Sequence, residues 1–308
     1  MEIDYIKFTQ KLLKAQTFYY NRNQFNIDKN LTISSSIKAV IFDVYGTMLF
    51  LCHPKGTNCT EKIILSSLQA ANISFVKNIK YEYLTNTILS LYDLNIKKSQ
   101  ELIKSKNNIR YPEINILKIW ENIISELSEK RMLIKQNNIN IKKLAFVYET
   151  LTNPVYADND LFKLLCKVKQ SDIELGILSN AQFYTSSILN FHLYKGGKNP
   201  LNQRLFNKKL SIFSYEFMAA KPSFILFNTL KIRLAEYSIL PQETLYVGND
   251  ILRDIAPAKK IGFKTALITG DKNSFVPNNL LRFSSKEHLK PDYIINTLDS
   301  ILMILSRI

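Results

Sequence analysis

The sequence predicts an α/β fold: a parallel sheet with helices on both faces, interrupted by an inserted all-helical module. Three observations carry that expectation. Short β-branched runs alternate with helix-length amphipathic segments over most of the chain. One stretch, residues 60–150, lacks any convincing strand. And polar, chemistry-bearing residues follow directly on the ends of the apolar runs, where open parallel sheets bind their ligands.

The first strand is Lys38–Phe42, a short apolar run ending at Asp43. Further strands are expected at Glu174–Leu178, Ser211–Phe213, Thr244–Val247, Lys264–Ile268 and Tyr293–Ile295. Apolar residues three or four apart predict helices over Phe183–Phe191, Phe224–Tyr237 and Ile251–Ile261. In the strandless stretch the same spacing predicts helices Glu61–Ala71, Tyr83–Leu94, Ile114–Leu133 and Ile141–Leu151. Residues 4–20 (Tyr5, Ile6, Phe8, Leu12, Leu13, Phe18) suggest an amphipathic helix packed on the core, followed by an Asn- and Ser-rich linker to residue 36. The expected organisation is therefore an extension over 1–36, an α/β core over 37–51 and 152–308, and a helical insert over 52–151.

Composition narrows the function class. The 308 residues hold 46 % hydrophobic and 22 % charged side chains, ordinary for a globular chain with a buried core. The net charge of +15 admits nucleic acid or an anionic ligand. Lysine is spread along the whole chain, and no zinc-finger spacing, RNA-recognition motif or basic tail is present. Nucleic acid is therefore not expected as a partner, and a small anionic substrate is. Cys52, Cys59 and Cys166 form no C-x-x-C pair, and Cys52-His53-Cys59 is too small and irregular a set for zinc. The odd cysteine count, a start without a secretory pattern and the lack of an apolar run of ~18 residues point to a cytoplasmic protein with no transmembrane segment.

The strand ends carry the chemistry. After the first strand stands Asp43-Val44-Tyr45-Gly46-Thr47, after the second Ser179-Asn180. Then come Lys221-Pro222 and Gly248-Asn249-Asp250, with Asp254 four residues on. Together they suit hydrolysis through a covalent carboxylate intermediate. Asp43 is the candidate nucleophile. Gly46 allows a sharp turn that offers backbone N–H groups to an anion. Ser179 suits donation to a substrate oxygen, and Lys221 suits stabilising Asp43 and the charge of the transition state. Asp250 and Asp254 suit a magnesium ion. Each has a plainer reading alone: a turn, an exposed lysine, a carboxylate capping a helix.

In this order the segments AVIFDVYGTML, LGILSNAQ, SYEFMAAKPS and YVGNDILRDIAPAKKIGFKTALI resemble the four signature motifs of the haloacid dehalogenase-like hydrolases, over roughly residues 38–300. The resemblance implies a Rossmann-like sheet with a helical cap domain inserted between the first and second motifs. By motif it makes Asp43 the nucleophile, Ser179 and the adjacent Asn180 the substrate-oxygen loop, Lys221 the charge stabiliser, and Asp250 or Asp254 the acidic end. Gly46 and Thr47 fall in the anion-binding turn. Within the insert, Arg110-Tyr111-Pro112-Glu113 and Trp120 are similar to a segment of such caps, with Arg110 a candidate for holding a substrate carboxylate.

Two positions depart from the family. Its phosphatases carry a second Asp two residues after the nucleophile, as general acid and base. Here that residue is Tyr45, a phenol of reference pKa ~10 and a poor base at neutral pH. Asp-x-Tyr-Gly-Thr looks like the 2-haloacid dehalogenases, whose halide leaves without a proton. The first acid of the fourth motif is Asn249, with Asp250 next to it. The magnesium set implied by the resemblance is thus Asp43, the Tyr45 carbonyl and Asn249, Asp250 or Asp254. Three readings follow: a magnesium-dependent phosphatase-like hydrolase whose acid comes from elsewhere or whose leaving group is already good, a dehalogenase-like carbon–halogen hydrolase, and a fold kept for binding or regulation.

Overall fold

The computed structural model describes residues 18–19, 37–54, 60–134, 138–170, 172–194, 205–270 and 289–305. By their contacts these fall into two compact units. One holds 37–51, 156–181 and 189–305; the other holds 18–19, 52–155 and 182–188.

The first unit is a six-stranded parallel sheet. Its strands are β1 (Ala39–Phe42), β2 (Glu174–Ser179), β3 (Ser211–Phe213), β4 (Thr244–Gly248), β5 (Lys264–Ile268) and β6 (Tyr293–Ile295), in the spatial order β6-β5-β4-β1-β2-β3. β1 lies at the centre, pairing β2 on one side (Phe42 beside Ile177) and β4 on the other (Phe42 beside Val247). Every residue of β1 and β4 is buried. Both faces of the sheet are therefore covered, the condition for all-parallel sheets and the reason these strands read as unbroken apolar runs.

The second unit is helical: α1 (Thr60–Ala70), α2 (Tyr81–Asn107), α3 (Ile116–Glu129) and α4 (Ile141–Thr152). Asn115 and Asn140 cap α3 and α4, their side chains accepting from Leu117 N and Lys143 N at 3.0 and 2.9 Å. α2 stops at Asn108, whose φ of 51° is left-handed, a conformation asparagine tolerates well. Tyr92, Trp120 and Tyr148 meet ring to ring at 5.0–5.4 Å, so these aromatic residues are core.

Further helices are α5 (Leu161–Lys169), α6 (Thr185–Leu193), α7 (Phe224–Ala235), α8 (Ala256–Lys260) and α9 (Ser300–Leu305). Leu226, Phe227, Leu230 and Leu234 of α7 pack with Ile41, Leu178, Ile212 and Tyr246 of the strands.

Four expectations are corrected. Phe18–Tyr19 is not helical but pairs antiparallel with His53–Pro54; consecutive aromatics favour a strand. The rest of the N-terminal extension lies outside the described residues. The second insert helix runs thirteen residues beyond Leu94, to Asn107. The third is shorter than Ile114–Leu133 because Asn115 caps it late and Lys130 ends it. The expected helix Ile251–Ile261 is a π-turn, Ile251–Ile255, followed by the short α8, and Ile255 N donates to Asp250 O five residues back.

Candidate active site

The site is assembled at the carboxyl ends of β1, β2 and β4. Asp43 extends β1 by one ladder bond, its N–H donating to Val247 O at 2.9 Å. The chain then turns through Gly46, at φ 78°, a region closed to most side-chain-bearing residues. Two N–H groups of this turn, those of Gly46 and Thr47, are not offered outward. Gly46 N donates to Leu49 O at 2.7 Å and Thr47 N to Val44 O at 3.3 Å, so these groups close the turn on itself. Thr47 is buried, and its hydroxyl has no hydrogen-bond partner among the described residues. Tyr45 is half-buried and bridges to Leu49.

Lys221 is the hub. Its ammonium lies 2.8 Å from Asp43 Oδ1 and 2.5 Å from Asp254 Oδ1. The three side chains are 3 %, 9 % and 1 % exposed, so water screens this chain of charges little. Two devices hold Lys221 in place. Asn180 brackets its backbone: Lys221 N donates to Asn180 Oδ1 at 2.6 Å, and Asn180 Nδ2 donates to Lys221 O at 3.4 Å. Asn180 therefore braces the lysine segment. The loop carrying Asn180 is in turn tied to the end of β3, since Ala181 N donates to Ser214 Oγ at 2.8 Å.

Asp254 is brought inward by the π-turn. Gly248 makes room for it: a Cβ at position 248 would lie 2.5 Å from Asp254 Cγ. Asp254 Oδ1 accepts from Lys221 and, at 3.0 Å, from Tyr246 Oη; its Oδ2 accepts from Asp250 N at 3.0 Å. Burial pushes this carboxyl up to about 6; Lys221 opposes the rise and the Asp43 charge adds to it. For Lys221, burial pulls the ammonium down, but Asp254 and Asp43 outweigh it and hold the group above its ordinary value. The two carboxylates thus keep the lysine charged.

Ser179 ends β2, fully buried, and its hydroxyl has no partner among the described residues. A buried unpaired hydroxyl costs about 1–3 kcal/mol, which a substrate oxygen would relieve. Asp250 Oδ1 accepts from Leu252 N and Arg253 N at 2.8 Å, as a helix cap does. Asn249 lies beside it, half-buried. Arg110 belongs to the helical unit, is exposed and lies over the Tyr111 ring at 5.3 Å.

The sequence did not single out two further residues, one at this site and one in the helical unit. Tyr246 touches the charge network from within β4. Gln182 fastens the start of α3, accepting from Ile116 N at 3.1 Å and donating to Ile114 O at 2.8 Å.

The donor set can be tested against the implied magnesium. Asp254 already receives three donors and Asp250 Oδ1 two. Lys221 engages Asp43 through Oδ1, and the neutral oxygens that the resemblance implies are those of Tyr45, two residues after Asp43, and Asn249, directly after β4. One carboxylate with neutral oxygens suits magnesium when a substrate phosphate supplies the remaining charge.

No family model matches the chain, and no curated protein matches it. Solved structures do. A HAD phosphatase from Thermococcus onnurineus is 19 % identical over 88 % of this chain and 98 % of its own, with a TM-score of 0.48. The HAD-hydrolase YfnB from Bacillus subtilis, bound to magnesium, is 16 % identical over 87 % and 98 %, at 0.42. The L-2-haloacid dehalogenase from Xanthobacter autotrophicus, with chloropropionic acid covalently bound, is 16 % identical over 87 % and 98 %, at 0.44. The chain's own sheet, with each motif at a carboxyl strand end, is the one that the resemblance to haloacid dehalogenase-like hydrolases implies.

Proposed function

We propose that the chain is a hydrolase in which Asp43 forms a covalent intermediate with a small anionic substrate, first of all a phosphoryl compound. The observation that supports this most is the buried Lys221 ammonium between Asp43 and Asp254. It fixes Asp43 through Oδ1, so that Oδ2 is the attacking atom. The same positive charge offsets the negative charge that gathers on the transferring group, in a site with little water to reorganise. Ser179 Oγ donates to a substrate oxygen. Water then hydrolyses the aspartyl intermediate and returns Asp43.

Tyr45 restricts the substrate. With a phenol where a carboxylate would protonate the leaving oxygen, an alkoxide leaves slowly, by a factor of about 10²–10⁴. An acyl phosphate or an anhydride, whose leaving group is stable without a proton, meets no such penalty. Magnesium, held by Asp43, the Tyr45 carbonyl and Asn249 together with the substrate phosphate, would neutralise phosphoryl charge. The helical unit is the proposed cap, and no helix among the described residues is long and apolar enough to cross a membrane.

Tyr45 and the neutral Asn249 also favour a second reading, displacement of halide from a 2-haloacid by Asp43, which needs neither a proton nor a metal. The two separate in one assay. Phosphate release is measured from phosphomonoesters and acyl phosphates, with magnesium and with chelator, for the native chain and Asp43→Asn. The expected result is magnesium-dependent release from acyl phosphates, lost in Asp43→Asn. Halide release from 2-haloacids without metal would replace the first reading by the second. Absence of both would leave the fold as a binding or regulatory one.

A further inference from the structure

We propose that Tyr246 is a positioning residue of this site, its phenol oxygen completing a tripod of acceptors that fixes the Lys221 ammonium against Asp43; this rests on the reading of Asp43 as the attacking group. Tyr246 sits mid-strand in β4, beside Ile41 of β1 and Thr265 of β5. It is fully buried in an otherwise apolar cluster, its ring 5.5 Å from that of Phe227. Packing asks for no hydroxyl there. A phenylalanine would fill almost the same volume without the cost of burying an oxygen.

The oxygen nevertheless lies 3.4 Å from Lys221 Nζ, 3.0 Å from Asp254 Oδ1 and 3.1 Å from Leu178 O. Its single proton goes to Asp254 or to Leu178, and its lone pair faces the ammonium. A lysine has three N–H donors. Asp254 Oδ1 and Tyr246 Oη accept from Lys221, and Asp43 Oδ1 pairs with it at 2.8 Å. Burial, with the Asp254 and Asp43 charges, holds the phenol well above its ordinary value, so the oxygen stays neutral. Tyr246 thus acts through Lys221: without it, one N–H of a buried ammonium loses its acceptor and the lysine can rotate off Asp43.

The test compares Tyr246→Phe with Phe227→Leu, which disturbs the same packing but leaves the oxygen, using acetyl phosphate with magnesium. Tyr246→Phe is expected to lower kcat about tenfold with KM within about twofold, whereas Phe227→Leu lowers Tm without that fall. An unchanged kcat in Tyr246→Phe, or an equal fall in both variants, overturns the proposal. If the native chain turns over no substrate, the hydrolase reading fails by itself and the tripod is judged by stability. The Tm loss from Tyr246→Phe should then shrink by at least half in a Lys221→Met background. An equal loss in both backgrounds overturns the tripod.

Discussion

Replacing Lys221 by Met removes the one positive charge between two buried carboxylates while keeping the length of the side chain. Asp43 and Asp254 then face each other with nothing between them but apolar stem. Breaking a buried pair by removing one partner costs about 3–5 kcal/mol, and side chains only 3 %, 9 % and 1 % exposed leave little room for a solvent discount. At about 2–4 °C per kcal/mol for chains of a few hundred residues, Tm at pH 7 should fall by roughly 6–20 °C. The sign of the pH dependence is fixed. With the ammonium gone, the attraction that opposes the upward push on Asp254 is lost, so Asp254 holds its proton more tightly in the folded than in the unfolded chain and the variant recovers stability as pH falls. Thermal unfolding followed by near-ultraviolet circular dichroism at pH 7 and pH 5 measures both effects. A loss under about 2 °C, or an equal loss at the two pH values, would refute the argument that Lys221 neutralises this pair.

Asp254, pushed up to about 6 from a reference value of 3.8, binds its proton more tightly when folded. Relative to Asp254→Asn, the native chain should therefore gain up to about 3 kcal/mol as pH falls from about 6 toward 3.8. Denaturant midpoints across that window check this, and a flat difference would sink it. Gly248→Ala should displace Asp254, because the new Cβ would sit 2.5 Å from its Cγ. We expect a stability loss of about 1–3 kcal/mol and at least a tenfold fall in turnover; native-like activity would show that Asp254 can move freely. Asp250→Ala should cost about 1 kcal/mol as a lost cap while leaving the magnesium requirement unchanged. A tenfold rise in the magnesium concentration needed would make Asp250 a metal ligand instead.

Sheet and site were legible in the sequence for the same reason. Strands buried on both faces must be unbroken apolar runs, and β1 and β4 are such runs. Polar residues at or soon after the strand ends then stand out, so the candidates Asp43, Ser179, Lys221 and Asp254 could be named. What the sequence hid depends on direction. A tyrosine inside an apolar strand reads as core, and nothing in TLYVG shows that the Tyr246 oxygen points at a lysine. The turn through Gly46 was recognisable, but which way its N–H groups face depends on the Val44 and Leu49 carbonyls. The tail of α2 beyond Leu94 was missed because polar residues dominate it, with Asn95 and Ile103 its buried positions. α5 was missed although Leu161, Leu164, Leu165 and Val168 stand at helical spacing; the signal was present in a segment of only nine residues.

The central claim is covalent attack by Asp43, and mass spectrometry of an acid-quenched turnover tests it most directly. With acetyl phosphate and magnesium, the account predicts a phosphoryl group on the peptide that contains Asp43, absent from Asp43→Asn and lost on chase with unlabelled buffer. Turnover that persists in Asp43→Asn, or a phosphoryl group on any other peptide, would contradict it.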